Sequence, residues 1–100
     1  MATTTKALAR TAAATSSTTL YTVPASTTTV VSNIVIANPS TSAVTATMTF
    51  DGVNIIPTVS IAANSVFSFD LKQVLATTKI IAGLSSATTT TFHISGVEIA

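Results

Sequence analysis

Val44-Thr45-Ala46-Thr47-Met48-Thr49-Phe50-Asp51-Gly52-Val53 is the stretch whose reading decides the fold. Val44, Ala46, Met48 and Phe50 alternate with Thr45, Thr47 and Thr49, which sorts the side chains into one apolar face and one threonine face. A period of two belongs to a strand, and this division belongs to a half-buried antiparallel one. Asp51-Gly52 then supplies a two-residue hairpin turn, because both residues tolerate the positive φ that such a turn demands. The strand after the turn, Val53 to Ile61, resumes the alternation with Val53, Ile55, Val59 and Ile61 directed inward. Pro57 shares that parity and lacks the N–H a ladder needs, so this strand is expected at a sheet edge or broken at the proline.

Strands continue on both sides of this hairpin. Before it, Asn38-Pro39-Ser40-Thr41 reads as a turn, since proline fixes φ and asparagine suits turn geometry. A strand from Thr29 to Ala37 precedes that turn, with Val30, Ile34 and Ile36 on one face and Val31, Asn33 and Val35 on the other. Two apolar faces suggest a central strand or one covered by a partner. Leu20 to Val23 is a shorter strand, closed by Pro24-Ala25. After the hairpin, Ala62 to Ser65 forms a turn, and Phe67, Phe69 and Leu71 line one face of the next strand. Leu71, Val74 and Leu75 stand at i, i+3 and i+4, so a single helical turn is expected over Asp70 to Ala76, with Asp70 near its N-terminus. Lys79 to Leu84 and Thr88 to Ile99 complete the series, separated by a turn at Ser85 to Ala87. In the last strand the inward set passes from Phe92 and Ile94 to Val97 and Ile99, which implies a β-bulge at Ser95-Gly96. About seven short strands with turn signals about ten residues apart indicate an all-β fold: a compact antiparallel β-sandwich, Ig-like or jelly-roll-like.

The chain of 100 residues holds one domain, divided by composition into a flexible or extended N-terminal arm (1–19) and a β-sandwich domain (20–100). The arm carries Lys6 and Arg10 and no acid, a composition that also fits an organelle transit peptide. It lacks the continuous apolar segment of a secretory signal. The folded part is small enough to bury only about 60–65% of its unfolded surface. No cysteine is present, so thiol nucleophiles, disulfides and cysteine-ligated zinc are excluded.

Only 7% of the residues are charged, where about a quarter is usual. Lys6, Arg10, Lys72 and Lys79 are scattered and cannot neutralise a run of phosphates, so no nucleic-acid partner is expected. No apolar stretch approaches the ~18 residues of a membrane-spanning helix, so no membrane partner is expected either. So few charges on a small domain favour association. Either neighbouring subunits cover much of its surface, or serine and threonine, roughly a third of the chain, supply enough polarity by themselves.

Titratable groups are too few for a strong catalytic expectation. Asp51 belongs to the hairpin turn, Asp70 to the expected helical turn, and Glu98 alternates with Val97 and Ile99, which sets it outward or against a neighbouring subunit. No spacing among them demands the paired carboxylates of a glycosidase. His93 falls on the face opposite Phe92 and Ile94, without the companion ligands a metal requires. No G-x-S-x-G nucleophile elbow occurs. The chain is therefore expected to be no enzyme, with no catalytic, cofactor-binding or metal residues and no cofactor. Asn38 has the serine of a glycosylation signal, but Pro39 blocks it. Tyr21 and the threonine rows Thr27 to Thr29 and Thr88 to Thr91 are the candidate contact residues, together with the arm.

Several of these segments resemble those of small virion structural proteins of tailed bacteriophages. Leu20-Tyr21-Thr22-Val23-Pro24-Ala25 followed by Thr29 to Asn38 is similar to their opening strands, and Phe92-His93-Ile94-Ser95-Gly96-Val97-Glu98-Ile99 is similar to their closing strand. Ile61 to Ser65, Leu71 and Val74-Leu75-Ala76 fit the same plan, so the resemblance spans about Leu20 to Ala100. Ser26 stands where that family commonly has glycine. The resemblance implies a non-enzymatic virion protein acting by protein–protein packing: a capsid decoration or cement protein, or a neck or tail accessory component. Its implied partners are major capsid or neck/tail subunits and further copies of itself, with a trimer favoured by analogy. Two other readings of the sequence are a surface-adhesion or carbohydrate-binding module and an accessory protein with a cleaved leader.

Overall fold

The computed structural model describes residues 3–100, with the side chain of Phe69 outside the described set. Its strands are β1 (Thr3–Ala12), β2 (Thr18–Thr22), β3 (Thr28–Asn38), β4 (Val44–Phe50), β5 (Val53–Ile61), β6 (Ser65–Leu75), β7 (Ile80–Ser85) and β8 (Thr91–Ile99). They form two four-stranded antiparallel sheets, in the orders β1-β8-β3-β6 and β2-β7-β4-β5. β1 pairs with β8, β2 with β7, β3 with β6 and β4 with β5. The chain thus behaves as one long hairpin, bent at Asp51-Gly52 and rolled so that its pairs alternate between two packed layers. An eight-stranded double sheet of this connectivity is a jelly roll.

The core lies between the layers. Ile34, Ile36, Phe92 and Ile94 of the first sheet meet Ala46, Met48, Ile56 and Ile81 of the second, all nearly or wholly buried. β4 follows its sequence pattern, with Val44, Ala46, Met48 and Phe50 buried and the three threonines half-buried on the outer side. The hairpin turn has φ of 54° at Asp51 and 77° at Gly52, positive at both central residues as its sequence requires. β5 is an edge strand whose register against β4 shifts twice, once across Pro57-Thr58. These shifts bury Ile56 and leave Val53 68% exposed, so the simple alternation expected for this strand is overturned.

Three other expectations are corrected. Residues 3–12 of the expected arm are β1, extended but paired along β8 inside the same sandwich, so no boundary falls between residues 19 and 20; Met1 and Ala2 lie outside the described residues. The helical turn over Asp70 to Ala76 is absent, because β6 stays paired with β3 as far as Leu75. Val74, assigned to its apolar face, is 67% exposed. The repeated backbone bonds of a ladder outweigh one isolated turn, whose nucleation is unfavourable.

The third correction concerns the bulge. β8 keeps a single parity, with Phe92, Ile94 and Gly96 all buried. The extra residues sit in its neighbours: Leu8 between Ala7 and Ala9 of β1, and Ser32 between Val31 and Asn33 of β3. In β3 the inward set therefore changes from Thr29 and Val31 to Ile34 and Ile36, and Val30 faces outward. A Cβ at Gly96 would stand 2.3 Å from the Val30 carbonyl oxygen and 3.0 Å from Leu8 Cδ1. Glycine is required there because β3 and the Leu8 side chain already fill that space.

Candidate functional site

The titratable side chains weighed in the sequence are not brought together. Asp51 stays in its turn with Lys79 3.6 Å away, an exposed ion pair. Asp70 accepts a hydrogen bond from Asn33 Nδ2 at 2.9 Å, a cross-strand contact in place of the expected helix cap. His93 is half-buried on the outer parity of β8, 3.2 Å from Thr91 Oγ1. Among the described residues no three His, Cys, Asp or Glu side chains cluster as metal ligands would.

Glu98 is the residue most misjudged from sequence. It turns toward the interior of one end of the sandwich and accepts a hydrogen bond from the hydroxyl of Tyr21. Lys6 Nζ lies 3.4 Å from the same carboxylate. Thr29 Oγ1 is 2.8 Å from the Tyr21 hydroxyl and must donate, because the single phenolic proton is committed to Glu98. Lys6 of β1, Glu98 of β8, Thr29 of β3 and Tyr21 of β2 thus form one polar chain that crosses from the first sheet to the second. The phenol is pushed up to about 12 by burial and by the neighbouring carboxylate. The Tyr21 hydrogen bond, assisted by Lys6, holds the Glu98 carboxyl below its ordinary range. Tyr21 is buried and so is not the surface contact expected of it. One signal was available: with no change of parity in β8, Glu98 shares the inner face with Phe92, Ile94 and Gly96.

The opposite end is held by uncharged groups. Asn38 is buried, and its Nδ2 donates to the carbonyls of Ser42 at 2.9 Å, Ala62 at 3.0 Å and Ile61 at 3.2 Å. Its Oδ1 accepts from the backbone N–H and the hydroxyl of Ser40. This side chain ties the β3–β4 loop to the end of β5. Nearby, the Ser85 hydroxyl donates to Thr90 Oγ1 at 2.9 Å, both residues being wholly buried. Thr27, Thr29 and Thr90 are buried too, so these members of the two threonine rows are withdrawn from surface contact.

A threonine face lies on the second sheet. None of the residues of β2, β4, β5 and β7 is charged. Thr45, Thr47 and Thr49 run along its outer side, with Thr47 and Thr58 hydroxyls 3.0 Å apart. Between the edge strands β5 and β6 the sandwich is open, leaving a groove of about 520 Å³ lined by Ile55, Ile56, Pro57, Thr58, Val59 and Phe67. The first sheet shows Val66 and Val74 on its outer side, 61% and 67% exposed. Among the described residues this geometry offers surfaces for packing.

No protein-family model matches the chain, and no curated protein matches it by sequence. Among solved structures it is similar to the core of Drosophila NLP, studied for pentamer formation and histone binding. That match has a TM-score of 0.57 at 16% identity and covers 98% of each chain. It is also similar to a chain of infectious bursal disease virus, Gx strain, with a TM-score of 0.53 at 15% identity. That match covers 97% of this chain and 32% of the viral one, so this chain spans about a third of its length. Both likenesses are of fold.

Proposed function

We propose that the protein is a non-enzymatic structural subunit of a virus particle. It acts by packing against other subunits, as a decoration or cement protein of a bacteriophage head or as a neck or tail component. The observation that carries this reading is the second sheet, whose four strands contain no charged residue. Natural surfaces keep charge where water must hold a protein apart from its neighbours, and give it up at the centre of interfaces. The jelly-roll connectivity and the similarity in fold to a viral chain agree with it. So does the resemblance of the Leu20–Asn38 and Phe92–Ile99 segments to small phage virion proteins.

Copies of the chain itself are the first partners to expect, followed by capsid or neck/tail subunits. Reaction chemistry finds no support, because Asp51, Asp70, Glu98 and His93 each have separate structural neighbours. Adhesion to glycans has less support than packing. The rings of Tyr21, Phe50 and Phe92 are buried and present no stacking platform.

Purified particles from the source lysate provide the test, by mass spectrometry and by a cryo-EM map searched for this sandwich. Density repeated on a shell, ring or tail is the expected result. Particles that lack the chain overturn the reading.

A further inference from the structure

β1 is joined to its own sandwich mainly by its backbone ladder. It pairs with β8 alone, and of its side chains only Leu8 is buried. Its other side-chain ties are the partly buried Ala9 and the ion pair from Lys6 to Glu98. The receiving side is built independently of it. The Gly96 hollow is walled by Val30 and Val31 of β3, and the Glu98 carboxylate is fixed by Tyr21 of β2. If β1 leaves, β8 keeps a free ladder edge, a hollow that fits Leu8 and a carboxylate that fits Lys6.

That socket recognises Lys6-Ala7-Leu8, a segment that every copy of the chain carries. Charge favours the same match. β1 carries Lys6 and Arg10 and no acid, whereas the rest of the chain carries Asp51, Asp70 and Glu98 against Lys72 and Lys79. The pivot is equally defined, because Ala13 N–H bonds to the Thr90 carbonyl at 2.7 Å and the Ala14 carbonyl accepts from Ser85 N–H at 2.9 Å. These bonds fix the start of the β1–β2 loop, so a β1 that leaves β8 would turn at Ala12.

We propose that β1 is exchanged between copies, so that in the assembled protein it lies on β8 of a second copy of this chain. Exchange of an identical element makes no new kind of contact and breaks none on balance. High local concentration in an assembly is what tips it toward the intermolecular form. Reciprocal exchange closes a dimer, and head-to-tail exchange closes a ring. The inference builds on the assembly reading, but it is tested on the purified chain alone. A chain that is present in ordered copies on particles and yet shows no exchange overturns this inference and leaves that reading standing.

Thr5 and Val97 face each other across β1 and β8, and the natural chain has no cysteine to interfere. One chain carrying Thr5→Cys and another carrying Val97→Cys are mixed at high concentration, oxidised and separated without reductant. The expected result is a covalent heterodimer at least about ten-fold more abundant than in a control mixture of Thr5→Cys with Thr47→Cys chains. Introducing Leu8→Ala into the Thr5→Cys chain is expected to lower that yield. A heterodimer no more abundant than the control overturns the inference, provided that the Thr5→Cys/Val97→Cys double variant closes within one chain. If either cysteine prevents folding, Ala7→Cys and Ser95→Cys, also paired across β1 and β8, are read in the same way.

Discussion

At one end of the sandwich a single neutral amide, Asn38, gathers three backbone carbonyls and two donors from Ser40. At the other end the comparable task falls to Tyr21, Thr29, Glu98 and Lys6, a chain with a carboxylate at its centre. Both arrangements leave their buried polar atoms partnered, and among the described residues no buried side-chain nitrogen or oxygen lacks a partner. They differ in what can undo them. An amide has no proton to gain or lose in the ordinary range, so the Asn38 end is indifferent to pH. The Glu98 end responds to both acid and alkali.

The largest effect is expected from Asn38→Ala, which deprives buried carbonyls of their donor and should destabilise the fold by about 3 kcal/mol. Urea unfolding measures this as a lower midpoint at unchanged slope. The loss should be the same at acid and neutral pH; a loss that varies with pH would break the comparison. Tyr21→Phe comes next, at about 1–2 kcal/mol near neutral pH, because it removes one hydroxyl that serves both Thr29 and Glu98.

The pH profile sharpens the contrast further. Glu98 titrates lower in the folded chain than in the unfolded one, so its contribution is in force above the unfolded value and is lost as pH falls through the folded value. Tyr21 is raised from 10.0 to about 12, so its contribution is complete below 10.0 and is lost as pH climbs toward 12. Melting temperature followed across both limbs should therefore show two declines. Glu98→Gln should flatten the acid one, and an unchanged acid limb would remove Glu98 as its source. The smallest effect belongs to Lys6→Ala. Its side chain is 47% exposed, and an exposed ion pair contributes under about 0.5 kcal/mol. A larger loss in urea unfolding would mean that Lys6 belongs to the buried part of the chain.

The sequence is most legible where one strand obeys one period. Val44–Phe50, the Asp51-Gly52 turn and the bounds of Val53–Ile61 could be read directly, because alternation and turn chemistry agree there. It is least legible where two strands share an irregularity. The bulge opposite Gly96 lies in Leu8 and Ser32, far away along the chain, and nothing in β8 itself says which strand holds the extra residue. The misplaced bulge then turned Glu98 outward and concealed the polar chain. The composition of β1 reads as an arm because an edge strand held mainly by its backbone, with most of its side chains exposed, leaves little periodic trace. The charge-free second sheet was visible in composition but became a face only once β2, β4, β5 and β7 were assembled.

The crease formed by Leu8 and Ser32 gives the first sheet something like a reading frame. β8 acts as its ruler, and β1 and β3 each spend one residue more than the ruler over the same span. Removing Ser32 alone would take out the extra residue, so that Val31, Asn33 and Ile34 would follow Gly96, Ser95 and Ile94 without interruption and Ile34 and Ile36 would still face the core. Removing Val35 from the regular run instead would turn Ile36 outward and draw Ala37 inward. Length changes are therefore absorbed at the crease and not in the regular runs beside it. A lineage of such proteins can vary its loops and this crease, whereas a deletion elsewhere in β3 needs a second edit to restore the frame, much as a frameshift is rescued by a second one.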